Sequence, residues 1–376
     1  MHIVFTIANN TSVPYFNWFA EKAAKEKKHK FSFVALCKDK PKMIEDVGRY
    51  GWNCYWIKYD SDKRKLGVIN SFIKLYKLYN KIKPDVVHSH LFDDSLPSLF
   101  AARIARVKTR VITKQDATFH YYYAPKWVKM DKFNNWNATV IHSVASRNYE
   151  FIIDNEKPKK DKVKIVRNGF PIETLSKYDE KLINSIRNKY GLEGKFVIGT
   201  VARLIDWKGH KYIIEAAIKI KQHINNVVFI FAGTGDEAYV NKLNQEIKKN
   251  GLEDNFILTG WLEREIMPSL YRCMDIYLHP AINEPFGFAI AEAMINKIPI
   301  ISTRTGSTDL VAHKKEGYII KEKSVCDIIE AVLFYYNDEN ELKQIITNAY
   351  SYVVSNLSFI RMYDEHIQLY KTDFER

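Results

Sequence analysis

The sequence predicts an α/β protein made of two doubly wound domains, each built on a parallel sheet. Short β-rich segments alternate with helical patterns along nearly the whole chain, and they fall into two successive series. The length of 376 residues suits two domains of ordinary size. We therefore expect two Rossmann-like domains with ligand sites at the carboxyl ends of their strands.

The first series of strands predicts an amino-terminal domain over residues 1–168. Each segment is rich in β-branched or aromatic residues, and a helical pattern follows it. The predicted strands are His2 to Ile7, Phe31 to Leu36, Cys54 to Ile57, Val86 to Ser89, Arg110 to Thr113, Val140 to Ser143 and Val163 to Val166.

The second series predicts a carboxyl-terminal domain over residues 169–355. An Asn168-Gly169 turn should mark the join, and a charged helix from Lys177 to Tyr190 should follow it. An amphipathic helix from Ser358 to Tyr370, within a final segment 356–376, can pack on either domain, including back on the first. The predicted strands are Phe196 to Val201, Val227 to Ala232, Phe256 to Thr259, Ile276 to Leu278, Ile298 to Ser302 and Tyr318 to Ile320.

Positive charge is concentrated in the first domain. Residues 1–170 contain 32 Lys and Arg against 16 Asp and Glu, whereas the whole chain has 57 against 44. A basic surface of this kind attracts phosphates in nucleic acid, in anionic lipid or in a diphosphate-linked acceptor. We find no zinc knuckle, helix-turn-helix or RNA-binding motif, so nucleic acid is not the partner that we expect.

The cysteines and the apolar segments predict a cytoplasmic protein. Four widely spaced cysteines without a C-x-x-C pair argue against a zinc site or a disulfide framework. Met1 to Asn10 lacks the pattern of a signal peptide, and no apolar segment approaches the roughly 18 residues that span a bilayer. A peripheral position on the inner face of the cell membrane stays open.

Two segments of the first domain have alternative interpretations. Lys63 to Lys83 predicts a basic amphipathic helix, which suits either an ordinary surface helix packed on a sheet or a membrane contact. The aromatic and basic segment from His120 to Trp127 suits core packing, a loop facing an acceptor, or insertion at a lipid surface.

The segment from Glu284 to Glu292 is the strongest candidate site. Pro285 disfavours helical geometry at Glu284, so this carboxylate should lie in a loop, whereas Gly287 to Met294 should form a helix. The segment thus offers a loop carboxylate, free backbone N–H groups at a helix start and a second carboxylate in Glu292. These groups suit a sugar hydroxyl, a phosphate and a ribose. An ordinary capped core helix is the alternative.

Other loops of the second domain supply groups at the same predicted sheet edge. Arg203 and Lys208 follow the first strand and can clamp a diphosphate, although two solvated charges are the alternative. Gly233-Thr234-Gly235 resembles a dinucleotide fingerprint but has Ala238 in place of the third glycine, which argues against a hydride-transfer cofactor. Further loops at this edge are Thr259-Gly260-Trp261-Leu262, which can contact a base, and Arg304 to Asp309, predicted to be flexible.

Taken together, these motifs resemble the family 4 retaining glycosyltransferases of GT-B architecture, whose two domains face each other across a cleft. The resemblance covers roughly residues 165–320, and the first domain agrees mainly in layout and in His88-Ser89-His90-Leu91. The matching residues are Asn168-Gly169, Arg203, Lys208-Gly209, Gly233-x-Gly235, Thr259-Gly260, Glu284 to Glu292 and Gly306.

The resemblance implies a role for each matching position. Arg203 and Lys208 would hold the donor diphosphate and offset the charge of the departing nucleotide without a metal. Glu284 would bind hydroxyls of the donor sugar, and Glu292 would bind the ribose. The remaining implied donor contacts are Gly233, Gly260 and the backbone of Phe286, Gly287 and Phe288.

Two positions depart from the family pattern. Asn9-Asn10-Thr11-Ser12 stands where the family has a glycine-rich turn near the donor phosphate. The family histidine after the strand Arg110 to Thr113 is replaced by Lys114-Gln115-Asp116. This leaves His120 as the candidate catalytic histidine, with a packed or an exposed histidine as the alternative. Asp93-Asp94 is a weak candidate nucleophile and more naturally caps a helix beginning near Ser95.

The resemblance implies an enzyme that moves a hexose or N-acetylhexosamine from a nucleotide diphosphate sugar, such as a UDP- or GDP-sugar, to a saccharide. We expect no cofactor and no essential metal. The expected acceptor is a lipid diphosphate-linked glycan in O-antigen or capsule synthesis. The alternatives are a nucleotide-sugar epimerase and a non-catalytic protein that binds nucleotide sugars or polyanions.

Overall fold

The computed structural model describes residues 1–307 and 309–371, and the chain divides into two compact units. Unit 1 comprises Met1–Gly169 and the final segment that begins at Phe359, and unit 2 comprises Phe170–Ser358. Each unit has its own parallel sheet and its own hydrophobic core. The predicted architecture of two Rossmann-like domains is therefore confirmed.

The sheet of unit 1 has seven parallel strands within the described residues. They are β1 (His2–Ile7), β2 (Lys30–Cys37), β3 (Asn53–Lys58), β4 (Val86–Ser89), β5 (Thr109–Lys114), β6 (Val140–Ser143) and β7 (Val163–Ile165). Their order in the sheet is β3-β2-β1-β4-β5-β6-β7, so the order reverses beside β1. Each predicted strand of the first series is present, with bounds that differ by at most one residue.

Helices of unit 1 connect these strands and cover the sheet. They are α1 (Pro14–Glu26), α2 (Met43–Gly48), α3 (Arg64–Ile82), α4 (Phe92–Ile104), α5 (Phe119–Tyr123), α6 (Val128–Asn137) and α7 (Ser146–Phe151).

The sheet of unit 2 has six parallel strands in the described part of the chain. They are β8 (Phe196–Val201), β9 (Val227–Ala232), β10 (Phe256–Gly260), β11 (Ile276–His279), β12 (Ile300–Thr303) and β13 (Tyr318–Ile320). Their order is β10-β9-β8-β11-β12-β13, which again reverses beside the first strand of the unit. Loops after β8 and β11 therefore begin side by side, where open α/β sheets bind ligands.

The remaining helices surround the second sheet or close the chain. They are α8 (Ile172–Leu175), α9 (Glu180–Tyr190), α10 (His210–His223), α11 (Glu237–Lys249), α12 (Met267–Tyr271), α13 (Phe288–Ile295), α14 (Arg304–Ser307), α15 (Val325–Asn337), α16 (Glu339–Asn356) and α17 (Phe359–Lys371). Helix α17 belongs to unit 1, where Phe359 and Tyr363 pack against Phe19 of α1. Within the described residues, no helix is long and apolar enough to cross a membrane.

The predicted turn at Asn168-Gly169 is wrong. Gly169 N–H donates to Met362 Sδ at 3.0 Å, and Phe170 N–H donates to the Leu357 carbonyl at 2.8 Å. An Asn-Gly pair favours a turn only by local preference. Here, contacts with residues distant in sequence hold the segment, and no turn forms at these two residues.

Several element boundaries also differ from those predicted. The helix expected from Lys177 begins at Glu180, because the Asp179 side chain accepts a hydrogen bond from Lys181 N–H at 2.8 Å. The strand expected over Ile298 to Ser302 is Ile300–Thr303. The segment predicted as a flexible loop from Arg304 instead begins with the short helix α14, and its Thr308 lies outside the described residues.

Candidate functional site

The candidate donor site of unit 2 is built from loops that follow β8 and β11. Ile276 and Tyr277 of β11 pair with Ile198 and Gly199 of β8, so both loops leave the same edge of the sheet. The loop after β8 carries Arg203 and ends in a short turn, Asp206–Lys208, before α10.

Glu284 is the centre of this site. Its Oε2 lies 2.6 Å from Lys208 Nζ and accepts a hydrogen bond from His279 Nε2 at 2.9 Å. Its Oε1 accepts from Gly287 N–H at 3.3 Å. The Lys208 and Glu284 side chains are only 12% and 13% exposed, so the solvated-charge alternative for Lys208 is wrong.

The surroundings of Glu284 keep it ionised. Burial by itself would raise its pKa, but the hydrogen bond from His279 and the charge of Lys208 hold the pKa of Glu284 well below its usual range. A carboxylate fixed in this way is a hydrogen-bond acceptor rather than a proton donor. It suits the binding of sugar hydroxyls.

Gly287 turns the chain sharply between Glu284 and helix α13. Its φ of 88° lies in the left-handed region, so it caps the helix instead of forming its first turn, and α13 begins at Phe288. The first N–H groups of an α-helix have no partner within the helix. The start of α13 therefore offers backbone donors to an anion next to the ordered carboxylate.

Arg203 differs from Lys208 in its environment. Its side chain is exposed and makes no ion pair with any residue in the described ranges. The loop that carries Arg203 is hydrogen-bonded to the loop after β9, because Leu204 N–H donates to the Thr234 carbonyl at 2.8 Å. A cation free on a supported loop can bind a diphosphate.

The glycines of the predicted donor site have a packing role. A Cβ on Gly233 would collide with the Ala202 carbonyl, and one on Gly235 would collide with the Leu204 carbonyl. Gly233 N–H also donates to the Gly260 carbonyl at 3.0 Å, and Gly260 has a φ of 71°. Gly233 and Gly235 therefore let the loop after β9 approach the loop after β8, whereas Gly260 has open space around it and contributes its positive φ.

Glu292 lies in a second polar cluster. Its Oε1 is 3.1 Å from Arg264 Nη2, and its Oε2 accepts from the Tyr271 hydroxyl at 3.2 Å. Burial raises the pKa of Glu292, and Arg264 and Tyr271 offset only part of that rise. The two glutamates thus have separate partners, which argues against an acid–base dyad.

Unit 1 contains a cavity of about 360 Å³ beside the carboxyl ends of β4 and β5. Arg64 enters it from α3, where it pairs with Asp93 at 3.1 Å and lies 4.8 Å from the Trp127 ring. Other lining residues are Ala8, His90, Leu91, Phe92, Ser95, Ile112, Thr113, Lys114, Gln115, Asp116, Phe119, His120, Asp131 and Asn134.

His120 lies at this cavity in a chain of charged groups. Its Nδ1 is 2.6 Å from Asp131 Oδ2, and Asp131 Oδ1 is 3.1 Å from Lys114 Nζ. Lys114 also pairs with Glu156 at 3.2 Å. Because the carboxylate can only accept, His120 Nδ1 donates this hydrogen bond, which leaves Nε2 for a ligand in the cavity.

Within this series of side chains, the neighbouring charges favour the ionised forms of Asp131 and Lys114. Burial would raise the pKa of Asp131, but His120 and Lys114 lower it below its usual range. Burial would lower the pKa of Lys114, but Glu156 and Asp131 raise it. Lys114 is therefore a buried structural cation, whereas His120 can contact a ligand in the cavity.

Asp94 does not act as a nucleophile in this geometry. Helix α4 begins at Phe92 rather than near Ser95, and Asp94 accepts from Leu91 N–H at 2.8 Å and from His90 N–H at 3.1 Å. The predicted capping role is confirmed for Asp94, whereas Asp93 pairs with Arg64. At the position where the family has a glycine-rich turn, the Asn9 side chain accepts a hydrogen bond from Thr11 N–H at 2.9 Å, and this bond closes a local turn.

Three buried histidines of unit 1 lie close enough to hold a metal ion. The possible ligand atoms of His88, His142 and His366 lie within 4.8 Å of one another. However, His88 contacts Tyr370 and Thr113, His142 contacts Thr113 and Val166, and His366 contacts Met362 and Tyr15. With both nitrogens of each ring engaged, the cluster is a hydrogen-bond network rather than a metal centre.

Sequence reasoning missed several residues of both sites. His279 had a usable signal, because it ends a strand shortly before Glu284. Asp131 and Arg264 had none, since they come from a helix and a short turn that only the tertiary structure brings to the site. His90 had a partial signal as part of the strand end after β4, and its Nε2 has no hydrogen-bond partner in the described chain.

Two glycosyltransferase family descriptions match consecutive parts of the chain. "Glycosyl transferase 4-like" matches residues 3–148, and "Glycosyl transferases group 1" matches residues 183–352. The first match lies in unit 1 and the second lies in unit 2.

Individual proteins are similar over most of the chain. The UDP-Gal:α-D-GlcNAc-diphosphoundecaprenol α-1,3-galactosyltransferase of Escherichia coli is 27% identical over 317 residues, which are 80% of this chain and 79% of that protein. The capsular polysaccharide biosynthesis glycosyltransferase CapM of Staphylococcus aureus is 25% identical over 81% of each chain. The structure of Anabaena HepE in complex with UDP-glucose has a TM-score of 0.83 at 19% identity and covers 98% of this chain and 99% of HepE.

Proposed function

This chain belongs to the group 1, family 4 glycosyl transferases, and we propose that it transfers a hexose or N-acetylhexosamine from a UDP-sugar, with retention of anomeric configuration. The observation that carries this proposal is the ordered Glu284, held by Lys208 and His279 beside the helix start at Phe288. The ionised carboxylate of Glu284, the backbone N–H donors at the helix start and the exposed Arg203 after the neighbouring strand match the groups of a diphosphate sugar. We choose UDP over GDP in this proposal because the Escherichia coli relative is named for UDP-Gal and HepE was solved with UDP-glucose.

Under this proposal, each part of the UDP-sugar has a binding partner in unit 2. Arg203 and Lys208 hold the diphosphate, and Glu284 accepts hydrogen bonds from sugar hydroxyls. Glu292 holds the ribose, while Gly233 and Gly260 shape the loops around the nucleotide. Of the implied backbone contacts Phe286, Gly287 and Phe288, the first and the last add N–H donors beside the helix start, whereas Gly287 N–H donates to Glu284 Oε1.

The chemistry belongs chiefly to the leaving group. An acceptor hydroxyl forms a bond to the anomeric carbon as the bond from that carbon to the diphosphate oxygen breaks, and attack comes from the same face. The departing phosphate oxygen takes the hydroxyl proton, so the products are a glycoside and a nucleoside diphosphate. Arg203 and Lys208 stabilise the charge that develops on the diphosphate, which requires no metal ion.

We propose that the acceptor is a lipid diphosphate-linked saccharide used in surface polysaccharide synthesis, such as O-antigen or capsule. Two relatives support this proposal by name, since one acts on a diphosphoundecaprenol-linked sugar and the other takes part in capsule synthesis. The cavity of unit 1 is lined by Arg64 and His120, which suit a phosphate and a hydroxyl. The enzyme would work in the cytoplasm, at the inner membrane face.

A thermal-shift panel with UDP, GDP, ADP and CMP tests the donor assignment, and incubation with sugars of the preferred nucleotide then tests hydrolysis and transfer. We expect UDP to stabilise the protein most, and transfer to proceed equally in a chelator. Restoration of lost activity by magnesium or manganese would refute metal independence. Conversion of the nucleotide sugar to an epimer without acceptor would identify the alternative enzyme class.

A further inference from the structure

Helix α3 has apolar side chains on two opposite faces. Its inner face is buried in unit 1 and consists of Gly67, Ser71, Leu75 and Tyr79. Leu66, Ile69, Ile73 and Tyr76 are instead 62%, 56%, 44% and 38% exposed. At about 100° per residue, these four residues form one line on the side opposite the buried face, and we call them the α3 stripe.

The charges around the α3 stripe have a single sign. The 19 residues of α3 include Arg64, Lys65, Lys74, Lys77 and Lys81, and no acidic residue. On the helix surface, Lys65 borders the stripe on one side, and Lys77 and Lys81 border it on the other. A surface helix that only covers a sheet gains nothing from an exposed apolar line between uncompensated lysines.

A series of aromatic contacts leads from the α3 stripe to two neighbouring helices. The rings of Tyr76 and Phe72 on α3, Phe100 on α4, and Phe133 and Trp136 on α6 follow one another at centroid distances of 5.0 to 6.4 Å. Trp136 is 55% exposed at the far end of this series. The three rings between Tyr76 and Trp136 are half-buried, so the series links two exposed aromatic residues through packed ones.

We propose that the α3 stripe docks unit 1 on an anionic lipid bilayer. The apolar side chains would enter the headgroup region, and the bordering lysines would contact lipid phosphates. Exposed apolar residues with basic neighbours and interfacial aromatics are the features of a helix that lies in a membrane surface. The net positive charge of residues 1–170 adds a longer-range attraction to the same surface.

A bilayer fits this surface better than a second copy of the chain does. Two α3 helices placed face to face would bring the bordering Lys65, Lys77 and Lys81 of one copy against those of the other, with no acidic residue on either helix to offset the repulsion. Protein interfaces also tend to exclude lysine from their central region. An anionic membrane accepts the apolar line and the cations at the same time.

Arg64 connects the docking surface to the cavity of unit 1. It is the first residue of α3 and lines the cavity, and Leu66 begins the α3 stripe two positions later. Docking through α3 would hold the cavity at the level of lipid headgroups. This consequence rests on the proposed lipid-linked acceptor, whereas the docking itself does not.

Sedimentation with large unilamellar vesicles tests the docking. The probes are vesicles of phosphatidylglycerol and phosphatidylcholine in equal parts and vesicles of phosphatidylcholine alone. We expect the full chain to bind the anionic vesicles at least tenfold more tightly than the phosphatidylcholine vesicles. The variants Ile69→Gln/Ile73→Gln and Lys77→Glu/Lys81→Glu should each lose at least tenfold of that affinity. The matched controls are Ile360→Gln, at an isoleucine of α17 that is 57% exposed, and Lys219→Glu/Lys221→Glu on α10; both should bind like the unsubstituted chain.

Three results would overturn the docking proposal. The first is that the full chain does not bind anionic vesicles. The second is that the Ile69→Gln/Ile73→Gln variant binds them as tightly as the unsubstituted chain. The third is that the unsubstituted chain forms a dimer and does not bind vesicles, and that the same two substitutions dissociate the dimer. UDP binding and thermal midpoint, measured without lipid, should be unchanged in all variants. Lost vesicle binding with retained UDP binding would therefore support the docking surface even if the lipid-linked acceptor proved wrong.

Discussion

Lys208 Nζ lies 2.6 Å from Glu284 Oε2, although the two residues are 76 positions apart in the chain. The sequence suggested separate roles for them, one on the diphosphate and one on the sugar. In the structure they form one partly buried ion pair, with His279 on the same carboxylate oxygen. The cation that we assign to the diphosphate therefore also fixes the carboxylate that we assign to the sugar.

Replacing Lys208 by alanine should weaken UDP binding by about 1 to 3 kcal/mol, the range for hydrogen bonds to charged groups. Transfer should fall further, because Glu284 loses one of the groups that position it. Isothermal titration calorimetry and a transfer assay measure the two effects. The matched control is Lys211→Ala, since the pair of Lys211 with Asp206, at 3.2 Å, is exposed to solvent. Equal UDP affinity in both variants would remove Lys208 from the donor site.

Replacing Arg203 by alanine should weaken UDP binding by a similar ~1 to 3 kcal/mol without a change in thermal stability. Its side chain is exposed and has no ion-pair partner in the described ranges, so the folded state loses no ion pair. Calorimetry at two salt concentrations measures the effect, and the loss should be smaller at high salt. An unchanged affinity at low salt would contradict the diphosphate assignment.

Gly233→Ala should destabilise unit 2, because the new Cβ would meet the Ala202 carbonyl in the loop that leads to Arg203. We expect a loss of about 2 kcal/mol or more in the free energy of unfolding, as for other overpacked sites. Gly191→Ala is the control, since Gly191 also has a positive φ but has open space around it. Its cost should be about 1 kcal/mol, the cost of the backbone conformation alone. Urea unfolding of both variants measures the difference.

His120→Gln and Asp131→Asn should both reduce transfer and leave UDP binding unchanged. His120 depends on Asp131 for its orientation, and neither residue belongs to the unit 2 loops that we assign to the nucleotide. The double variant should be no slower than His120→Gln alone, because both changes disable the same group. Tyr122→Phe, at an exposed tyrosine of the same segment, is the control. Independent, multiplicative losses of rate would contradict the coupling.

Acid should destabilise unit 1 below about pH 6.5. Burial lowers the pKa of His142 to about 4 and holds those of His88 and His366 well below their usual range. The unfolded chain binds protons near pH 6.5 that the folded chain rejects, so stability is complete above that pH and decreases as the pH falls toward 4.

For His142 alone, the free energy of unfolding should decrease by roughly 1.4 kcal/mol per pH unit in this window. Urea titrations at pH 7.5, 6.0 and 5.0 measure the slope, and His142→Gln should reduce it by about one proton. A midpoint that does not move between pH 7.5 and 5.0 would show that these histidines are already charged in the folded state.

The positions of the strands were predictable from the sequence because each strand is a short, buried segment of β-branched and aromatic residues. His2–Ile7 and Phe196–Val201, for example, have the predicted bounds. The conformation at Asn168-Gly169 was not predictable, and the expected turn is wrong. The hydrogen bonds from Gly169 to Met362 and from Phe170 to Leu357 join residues far apart in the chain. Local preference decides such a segment only when no tertiary partner competes.

The sequence by itself determined the two parallel sheets and the loops that carry Arg203, Lys208 and Glu284, since strand periodicity and strand ends are local properties. Only the tertiary structure decided the partners of those side chains. It placed Lys208 and His279 on Glu284, and Asp131 on His120, and it left the α3 stripe facing outward. An amphipathic pattern shows that a helix has an apolar face, but burial depends on what packs against that face. The ionisation of Glu284 likewise depends on charges that folding brings within hydrogen-bond distance.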